Sequence, residues 1–144
     1  MEWNVVNTAE DVERLNYLFG SFHDSVLKEI CFSSGNYVDK NLSMFLHESP
    51  VARFLLQREW SDPAVIEIEF RDVLRINIKP MDEGYDPVIL YTRLHLEDDT
   101  FFWSAKDYLL GDDDKDNCTW ITAKQVYWRE RDDLLGSDGV YMRE

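Results

Sequence analysis

Residues 66 to 79 read Ile-Glu-Ile-Glu-Phe-Arg-Asp-Val-Leu-Arg-Ile-Asn-Ile-Lys, and Pro80 follows them. Apolar and polar side chains alternate over 66–69 and again over 74–79, which is the period of a β-strand with one buried face. Strands that bury one face and expose the other are typical of antiparallel sheets. The stretch therefore predicts the centre of an antiparallel β fold.

Other segments with strand character lie on both sides of this stretch. Residues 26–32 and the alternating residues 42–46 flank the turn-rich residues 33–36, so we expect them to pair as a hairpin. Residues 51–60 favour a strand, although their apolar spacing would also suit a helix. The later candidates are residues 88–96, 101–103 and, longest of all, 118–131. In the last of these, one face is assigned Trp120, Thr122, Val126 and Trp128, and the other Ile121, Ala123 and Tyr127.

One helix is predicted near the start of the chain, over residues 8–19. Thr8 and Asp11 match a capping box with the shorter acid, and Gly20 can adopt the left-handed conformation that ends such helices. The apolar face of this helix comprises Val12, Leu15, Leu18 and Phe19.

The pattern as a whole indicates an α+β fold, a mainly antiparallel β sheet or partial barrel with one N-terminal helix. No boundary or repeat divides the chain, so residues 1–144 are expected to form a single domain. Gly136 and Gly139 indicate that residues 134–144 form a loosely attached tail.

The net charge limits the classes of partner. Fifteen Lys and Arg stand against 29 Asp and Glu, which gives a formal charge of −14. A field of this sign repels nucleic acid and anionic membranes and attracts basic proteins. The chain shows neither a signal peptide nor a run of apolar residues long enough for a membrane helix, so the expected location is the cytoplasm.

The Cys and His residues predict no metal site and no cofactor. Cys31 and Cys118 are too few for a disulfide scaffold and are expected to be buried in a reducing compartment. His23, His47 and His95 have no ligand spacing with each other or with the cysteines, and His47 and His95 are expected to face solvent. Motifs for nucleophilic or nucleotide chemistry are missing, which disfavours an enzyme, although a triad assembled in space leaves no local trace.

An acidic segment at 112–117 carries Asp112, Asp114 and Asp116 at the spacing of a calcium loop. The twelfth position, where such loops need a bidentate Glu, is Ala123, and no helices flank the segment. A solvated loop between strands is therefore favoured over a calcium site.

His23 and Asp24 are the first candidates for a binding or catalytic site. A carboxylate beside an imidazole can tune it as an acid or a base, but the same residues also suit a turn between a helix and a strand. The turn interpretation is favoured. Trp60 and Trp128, the latter followed by Arg129, are candidate contacts for a protein partner because Trp is frequent at interface hot spots. For any single Trp, burial in the core is the favoured alternative.

Four phrases together carry a family resemblance: Phe22-His23-Asp24-Ser25, Leu56-Gln57-Arg58-Glu59-Trp60, Glu67-Ile68-Glu69-Phe70 leading to Val73, and Tyr127-Trp128-Arg129-Glu130. The chain resembles small uncharacterised bacterial proteins that share a Phe-His-Asp-Ser segment, some of which are similar to immunity proteins of toxin systems. The resemblance implies a bacterial, cytoplasmic protein without enzymatic activity. It implies no role for any residue.

Three hypotheses about function follow. The favoured one is an acidic protein-binding module, an immunity-type inhibitor of a basic toxin, which binds through charge and aromatic anchors. The first alternative is a small hydrolase or ligand-binding domain that uses His23 and Asp24. The second is a structural subunit of a homo-oligomer, which requires an open strand edge or an exposed apolar patch. The identity of the partner and the oligomeric state stay open.

Overall fold

A seven-stranded antiparallel sheet with a helix packed across one face dominates the computed structural model, which describes residues 2–46, 49–80 and 84–142. The elements are β1 (Asn4–Val6), α1 (Ala9–Leu18), β2 (Ser25–Ser33), β3 (Tyr37–Val38), β4 (Met44–Phe45), β5 (Val51–Arg58), β6 (Val65–Asn77), β7 (His95–Glu97), β8 (Thr100–Ser104) and β9 (Trp120–Glu130). Short 3-10 turns lie at Gly20–Phe22, Asp113–Asn117 and Asp132–Leu134.

The strands of the large sheet run in the order β2-β5-β6-β9-β8-β7. β9 is central: β8 pairs with its first half, and β1 pairs with its second half along the same edge. All pairings are antiparallel, and the path is open with β2 and β7 at its two ends. The prediction of an α+β fold with an N-terminal helix is confirmed, in its open-sheet form.

The core lies between α1 and one face of the sheet. Phe54 of β5 contacts both Phe70 and Trp103 edge-on, with ring centroids 5.0 and 5.6 Å apart, and Phe22 contacts Trp103 in the same way at 5.7 Å. Edge-to-face contacts of this kind add to the gain from burial. The core residues from α1 and the turn after it are Val12, Leu15, Phe19 and Phe22.

The predicted ends of the helix are present. The Thr8 side chain accepts from the Asp11 amide at 3.1 Å, and the Asp11 carboxylate accepts from the Thr8 amide at 3.2 Å, which completes the capping box. Gly20 has φ +58°, as the end of the helix requires. No basic residue lies in the last turn of α1. Instead, Arg58 of β5 donates to the Leu18 carbonyl at 3.2 Å.

The predicted hairpin between residues 26–32 and 42–46 is wrong. β2 pairs with β5, and β3 and β4 form a separate two-stranded ribbon. The Asp39 side chain accepts from the amides of Asn41 and Ser43 at 2.9 and 3.0 Å, and the Asp39 amide donates to the Ser43 carbonyl. This local turn pairs residues 37–38 with 44–45, so residues 42–46 never reach β2.

Two further strand predictions need correction. Of residues 88–96, only 95–96 belong to a strand. Ile89 instead forms an isolated antiparallel bridge with Ser25 at the beginning of β2. In β9, Ile121 and Ala123 share the core with Val126 and Trp128, so the strand changes faces between these pairs. The change lies beside Asp72 of β6, whose φ of 52° marks a local break in the pleat. β6, with 13 residues, is also longer than β9, with 11.

Residues 134–142, the described part of the predicted loose tail, are hydrogen-bonded to side chains of the sheet at several points. Gln57 donates to the Leu134 carbonyl at 3.0 Å, and Lys28 donates to the Asp138 carbonyl at 2.5 Å. The amides of Val140 and Tyr141 donate to the Glu29 carboxylate at 2.9 and 3.1 Å. Residues 134–142 therefore run across the face of the sheet opposite α1, because polar side chains on that face bind their backbone.

Cys118 is buried as expected, but Cys31 is exposed, and both thiols are free. The prediction for Cys31 fails because β2 is an edge strand and Cys31 lies opposite Arg53 rather than over the core. His95 is half-buried, with its ring stacked on Phe102 at 6.2 Å, so the prediction of a solvent-facing ring is wrong. His47 lies outside the described residues.

Candidate functional site

The Phe-His-Asp-Ser segment forms a tight turn between α1 and β2. Ser21, Phe22 and Asp24 all have φ between 53° and 60°, a region that non-glycine residues rarely occupy. The Ser25 hydroxyl donates to the Phe22 carbonyl at 2.7 Å. The Asp24 amide donates to the Ile89 carbonyl and the Ile89 amide to the Ser25 carbonyl, both at 2.8 Å. The segment thus holds Ile89 against the beginning of β2.

The side chains of His23 and Asp24 contact each other on the surface of this turn. His23 Nε2 lies 3.1 Å from the Asp24 carboxylate, and His23 Nδ1 lies 2.6 Å from the Leu90 carbonyl. Each side chain is about 60% exposed, and neither lines the groove beside β2 that is described below. Their arrangement stabilises a turn.

The same end of the sheet carries an exposed tryptophan. Trp60, in the turn between β5 and β6, is 94% exposed and has φ 56°. Leaving a Trp in water forgoes one of the largest burial gains available to any side chain. A left-handed bulky residue adds backbone strain, which is typical of positions kept for function. Trp60 is therefore the candidate anchor for a partner.

Acidic side chains collect around this turn, and we call this region the acidic end. Ser25 pairs with Arg58 and Ile66 pairs with Glu130, so the segments before β2, between β5 and β6 and after β9 all emerge together. Asp132 binds the turn directly, accepting from the amides of Ala64 and Val65. The exposed acids of the acidic end are Asp24, Glu59, Asp62, Glu130, Asp132 and Asp133.

The arginines of the acidic end, Arg58 and Arg131, are held in contacts within the protein. Arg58 lies over the Phe19 ring at 4.2 Å and donates to the Pro63 carbonyl at 2.9 Å; burial lowers the pKa of this guanidinium. Arg131 is paired with Asp133 at 3.0 Å, and the hydrogen bond from Arg131 lowers the pKa of that carboxyl. The six exposed acids outnumber Arg58, Arg131 and His23, so the acidic end keeps a negative net charge toward solvent.

The face of the sheet opposite α1, which we call the outer face, carries a buried network of ion pairs. Glu67 and Glu69 are almost fully buried although both are charged. Arg53 and Arg71 contact Glu69 at 2.8 and 2.6 Å. Both oxygens of Glu69 are thus bound to a guanidinium, as a buried carboxylate requires.

Glu67 is held in the same way. Its carboxylate accepts from Arg129 at 2.8 Å and from the Tyr141 hydroxyl, and Arg131 lies 3.5 Å away. Burial, together with the hydrogen bond to Glu67, raises the pKa of Tyr141. The ring of Trp3 lies under the Arg129 guanidinium, 4.1 Å from ring centroid to charge. The network therefore seals the outer face and fastens the tail to it.

The five candidate binding residues do not form one site. His23, Asp24 and Trp60 lie at the acidic end, while Arg129 is bound in the ion network. Trp128 is 9% exposed and packs in the core, which corrects its assignment as a surface anchor. The reason is the change of faces in β9, which turns this residue toward α1.

Sequence reasoning missed the buried glutamates and their partners. The signal was present in the two glutamates at alternate positions of an otherwise apolar strand. Arg71 lies two residues after Glu69 in β6, but Arg53 comes from β5 and Arg129 from β9, so these two pairings depend on a strand order that local patterns do not contain.

The acidic loop shows no sign of a metal site. Asp112 accepts from the Leu109 amide at 2.7 Å, and Asp116 accepts from the Trp120 indole at 2.8 Å. Among the described residues, no three His, Cys, Asp or Glu side chains are placed to hold a metal ion.

A groove of about 1350 Å³ runs along the free edge of β2. Its far wall is formed by the segment from Ile78 to Tyr91 as far as the structure describes it, and by residues 105–108. Leu90, at its rim, is 73% exposed. The groove is lined by both apolar and polar atoms.

Comparison with models of known protein families, with characterised proteins and with solved structures finds no match. No helix in the part of the chain that the structure describes has the length and apolar character needed to cross a membrane.

Proposed function

We propose that this protein is a binding module for a basic protein, and that it engages this partner at the acidic end. The observation that carries the proposal is Trp60, a tryptophan almost fully exposed in a turn that also exposes Glu59 and Asp62. Exposed Tyr17, in the last turn of α1 beside the Arg58-bound Leu18 carbonyl, adds a second aromatic surface at this end. Aromatic anchors surrounded by charge are typical of interface hot spots.

Charge and aromatic burial divide the work of binding. The net charge of −14 steers a basic protein toward the acidic end and raises the association rate, which salt screens. Burial of Trp60 in a pocket of the partner slows dissociation, and truncation of such an anchor costs at least about 2 kcal/mol. The two contributions are therefore separable by salt and by mutation.

An immunity-type role fits this surface best among the binding roles. A toxin that acts on an anionic substrate needs a basic active surface, and an acidic protein can occupy that surface in place of the substrate. The resemblance to proteins with a Phe-His-Asp-Ser segment supports the same role. In this protein the segment contributes the turn that sets the acidic end beside β2.

The hydrolase alternative finds less support. It needs a third polar group to converge with His23 and Asp24 around a cavity. His23 instead contacts its own neighbour and a backbone carbonyl, and the nearby groove is lined by Leu90 rather than by His23 or Asp24.

Co-expression with the most basic protein encoded beside its gene tests the proposal. We expect the protein to relieve growth arrest caused by that neighbour and to bind it in biolayer interferometry, with an affinity that falls at high salt. Trp60→Ala is expected to weaken binding at least about thirtyfold, about 2 kcal/mol, mainly through faster dissociation.

Leu109→Ala is the matched control, because Leu109 is a large exposed apolar residue outside the acidic end. Equal losses for both variants, or binding that is indifferent to salt, would refute docking at the acidic end. Both substitutions are at exposed positions, so thermal unfolding is expected to be unchanged.

A further inference from the structure

We propose that the free edge of β2, together with the ribbon that follows it, is the interface of a symmetric homodimer. The ribbon, residues 34–46 with β3 and β4, is called the arm. This proposal does not rest on the one above, because it uses a different surface.

The arm exposes apolar side chains that it cannot bury alone. Tyr37 and Phe45 stack on each other at 5.0 Å, yet each remains about half exposed, and Leu42 at the tip is 86% exposed. A two-stranded ribbon is at best marginally stable in water without a surface to pack on. The exposed apolar residues of the arm and of the strand before it are Phe32, Tyr37, Val38, Leu42, Met44, Phe45 and Leu46.

The area of this patch matches what a stable interface needs. The exposed fractions of these residues correspond to roughly four whole large side chains, on the order of 700 Å². A standard interface buries about 800 Å² on each partner. In a symmetric dimer each copy buries both its own arm and the surface that receives the other arm. The area buried on each copy therefore reaches that of a standard interface.

β2 supplies an open edge directly before the arm. It pairs with β5 on one side, and on the other side the described residues provide only the bridge from Ser25 to Ile89. A bulge between Leu27 and Glu29 disrupts the first part of the edge, which is a common protection against pairing. The second part, from Ile30 to the end of β2, has no such protection.

A twofold axis through this edge places each arm on the groove of the other copy. Antiparallel pairing of two β2 strands sets the end of one, where the arm begins, against the beginning of the other, where the groove lies. The apolar residues at that end of the groove include Val26, Leu27, Ile89 and Leu90. One chain therefore carries both halves of a self-complementary interface.

Charge favours a second copy over the basic partner at this surface. In a chain of net charge −14, the charged residues of the described arm are Asp39 and Lys40, which cancel. Among the described residues that line the groove, the charges are also balanced: Lys28, Lys79 and Lys106 against Glu29, Asp86 and Asp107. Two acidic copies can thus meet here without strong repulsion, whereas a basic protein gains nothing.

Sedimentation equilibrium of the full chain tests the dimer. We expect the wild type to be dimeric, with a dissociation constant that does not rise with salt because the contacts are apolar. Leu42→Glu with Met44→Glu in the arm, and Leu90→Glu in the groove, are each expected to raise that constant at least about tenfold. Leu109→Glu places the same charge outside the interface and is expected to leave it unchanged.

Spectroscopy can locate the interface independently. A nitroxide on exposed Cys31, with Cys118 buried and protected, reports the distance between the two β2 strands. Pairing centred in the middle or second half of β2 holds the two Cys31 Cα atoms within about 15 Å of each other. A long distance in a genuine dimer would overturn the proposed edge pairing.

Three other outcomes would also overturn the proposal. The first is a wild-type chain that stays monomeric at the highest soluble concentration. The second is a loss of dimer in Leu109→Glu equal to that in the arm variant. The third is a monomer whose arm variant loses the basic partner, which would assign the arm to that partner instead. Unchanged circular dichroism of the exposed-site variants shows that any loss is not unfolding.

Discussion

Replacement of Glu67 by Gln should reveal how far the buried ion network stabilises the fold. Gln keeps the size and one acceptor oxygen of the side chain but removes its charge. The Arg129 guanidinium, which binds the carboxylate at 2.8 Å, then loses its counter-charge, and Arg131 loses a nearby anion. The Tyr141 hydroxyl then faces either the amide oxygen or the amide N–H of Gln, and in the second case the hydroxyl proton has no acceptor.

The magnitude follows from the burial of the partners. Breaking a buried ion pair costs about 3–5 kcal/mol when the remaining charge stays in the interior. The Arg129 and Arg131 side chains are each 20% exposed, so water can reach them in part. We therefore expect a loss of about 2–4 kcal/mol in the free energy of unfolding.

Urea unfolding followed by tryptophan fluorescence measures the loss. With a slope of about 2 kcal/mol per molar urea, the midpoint is expected to fall by about 1–2 M with little change in slope. Glu130→Gln, an exposed glutamate on β9, is the matched control and is expected to change stability by less than about 0.5 kcal/mol. Equal midpoints for the two variants would refute the claim that Glu67 holds the outer face together.

Three further predictions concern the tail and the end of the helix. Burial opposes ionisation of Glu29, but the hydrogen bonds from the Val140 and Tyr141 amides outweigh it and lower the pKa of the carboxyl below its usual 4.5. The stability that the ionised carboxylate contributes is present above pH 4.5 and is lost as the pH falls through the lowered pKa. The NMR resonance of the Val140 amide should therefore titrate below pH 4.5, and it should not titrate in Glu29→Gln. Tyr141 has a raised pKa, so the stability that its neutral hydroxyl contributes is present below the usual pKa of 10 and is lost as the pH rises through the raised pKa. In an absorbance titration, one tyrosine should ionise at higher pH than the others, and Tyr141→Phe should remove only this late-ionising tyrosine. Arg58→Met should lose about 1–2 kcal/mol of stability in thermal unfolding, because the end of α1 loses its donor, and a variant as stable as the wild type would exclude this role.

Local patterns in the sequence were sufficient for the elements whose signals lie within a few residues. The alternation around Ile66 and Ile68 gave β6, and Thr8 with Asp11 gave the start of α1, because strand period and capping are set by neighbours in the chain. The acidic character of the surface followed from composition alone. These features need no knowledge of which strands pair.

Features that depend on distant partners could not be predicted in this way. Trp60 is exposed in the turn between β5 and β6, whereas Trp128 is buried because a break beside Asp72 changes the faces of β9. Asp39 redirected residues 42–46 into the arm through a side-chain bond that competes with the expected hairpin. Each failure reflects a long-range register or a local polar bond that periodicity does not record.

The pairing of β1 with β9 joins the beginning of the described chain to a strand more than a hundred residues later; Asn4 donates to the Trp128 carbonyl across a separation of 124 positions. During synthesis on a ribosome, residues 4–6 must therefore wait, unpaired, until β9 has emerged. Closing so long a loop is entropically costly and slows folding. The domain is thus expected to complete its sheet late in translation, when most of its other strands are already available to receive β9.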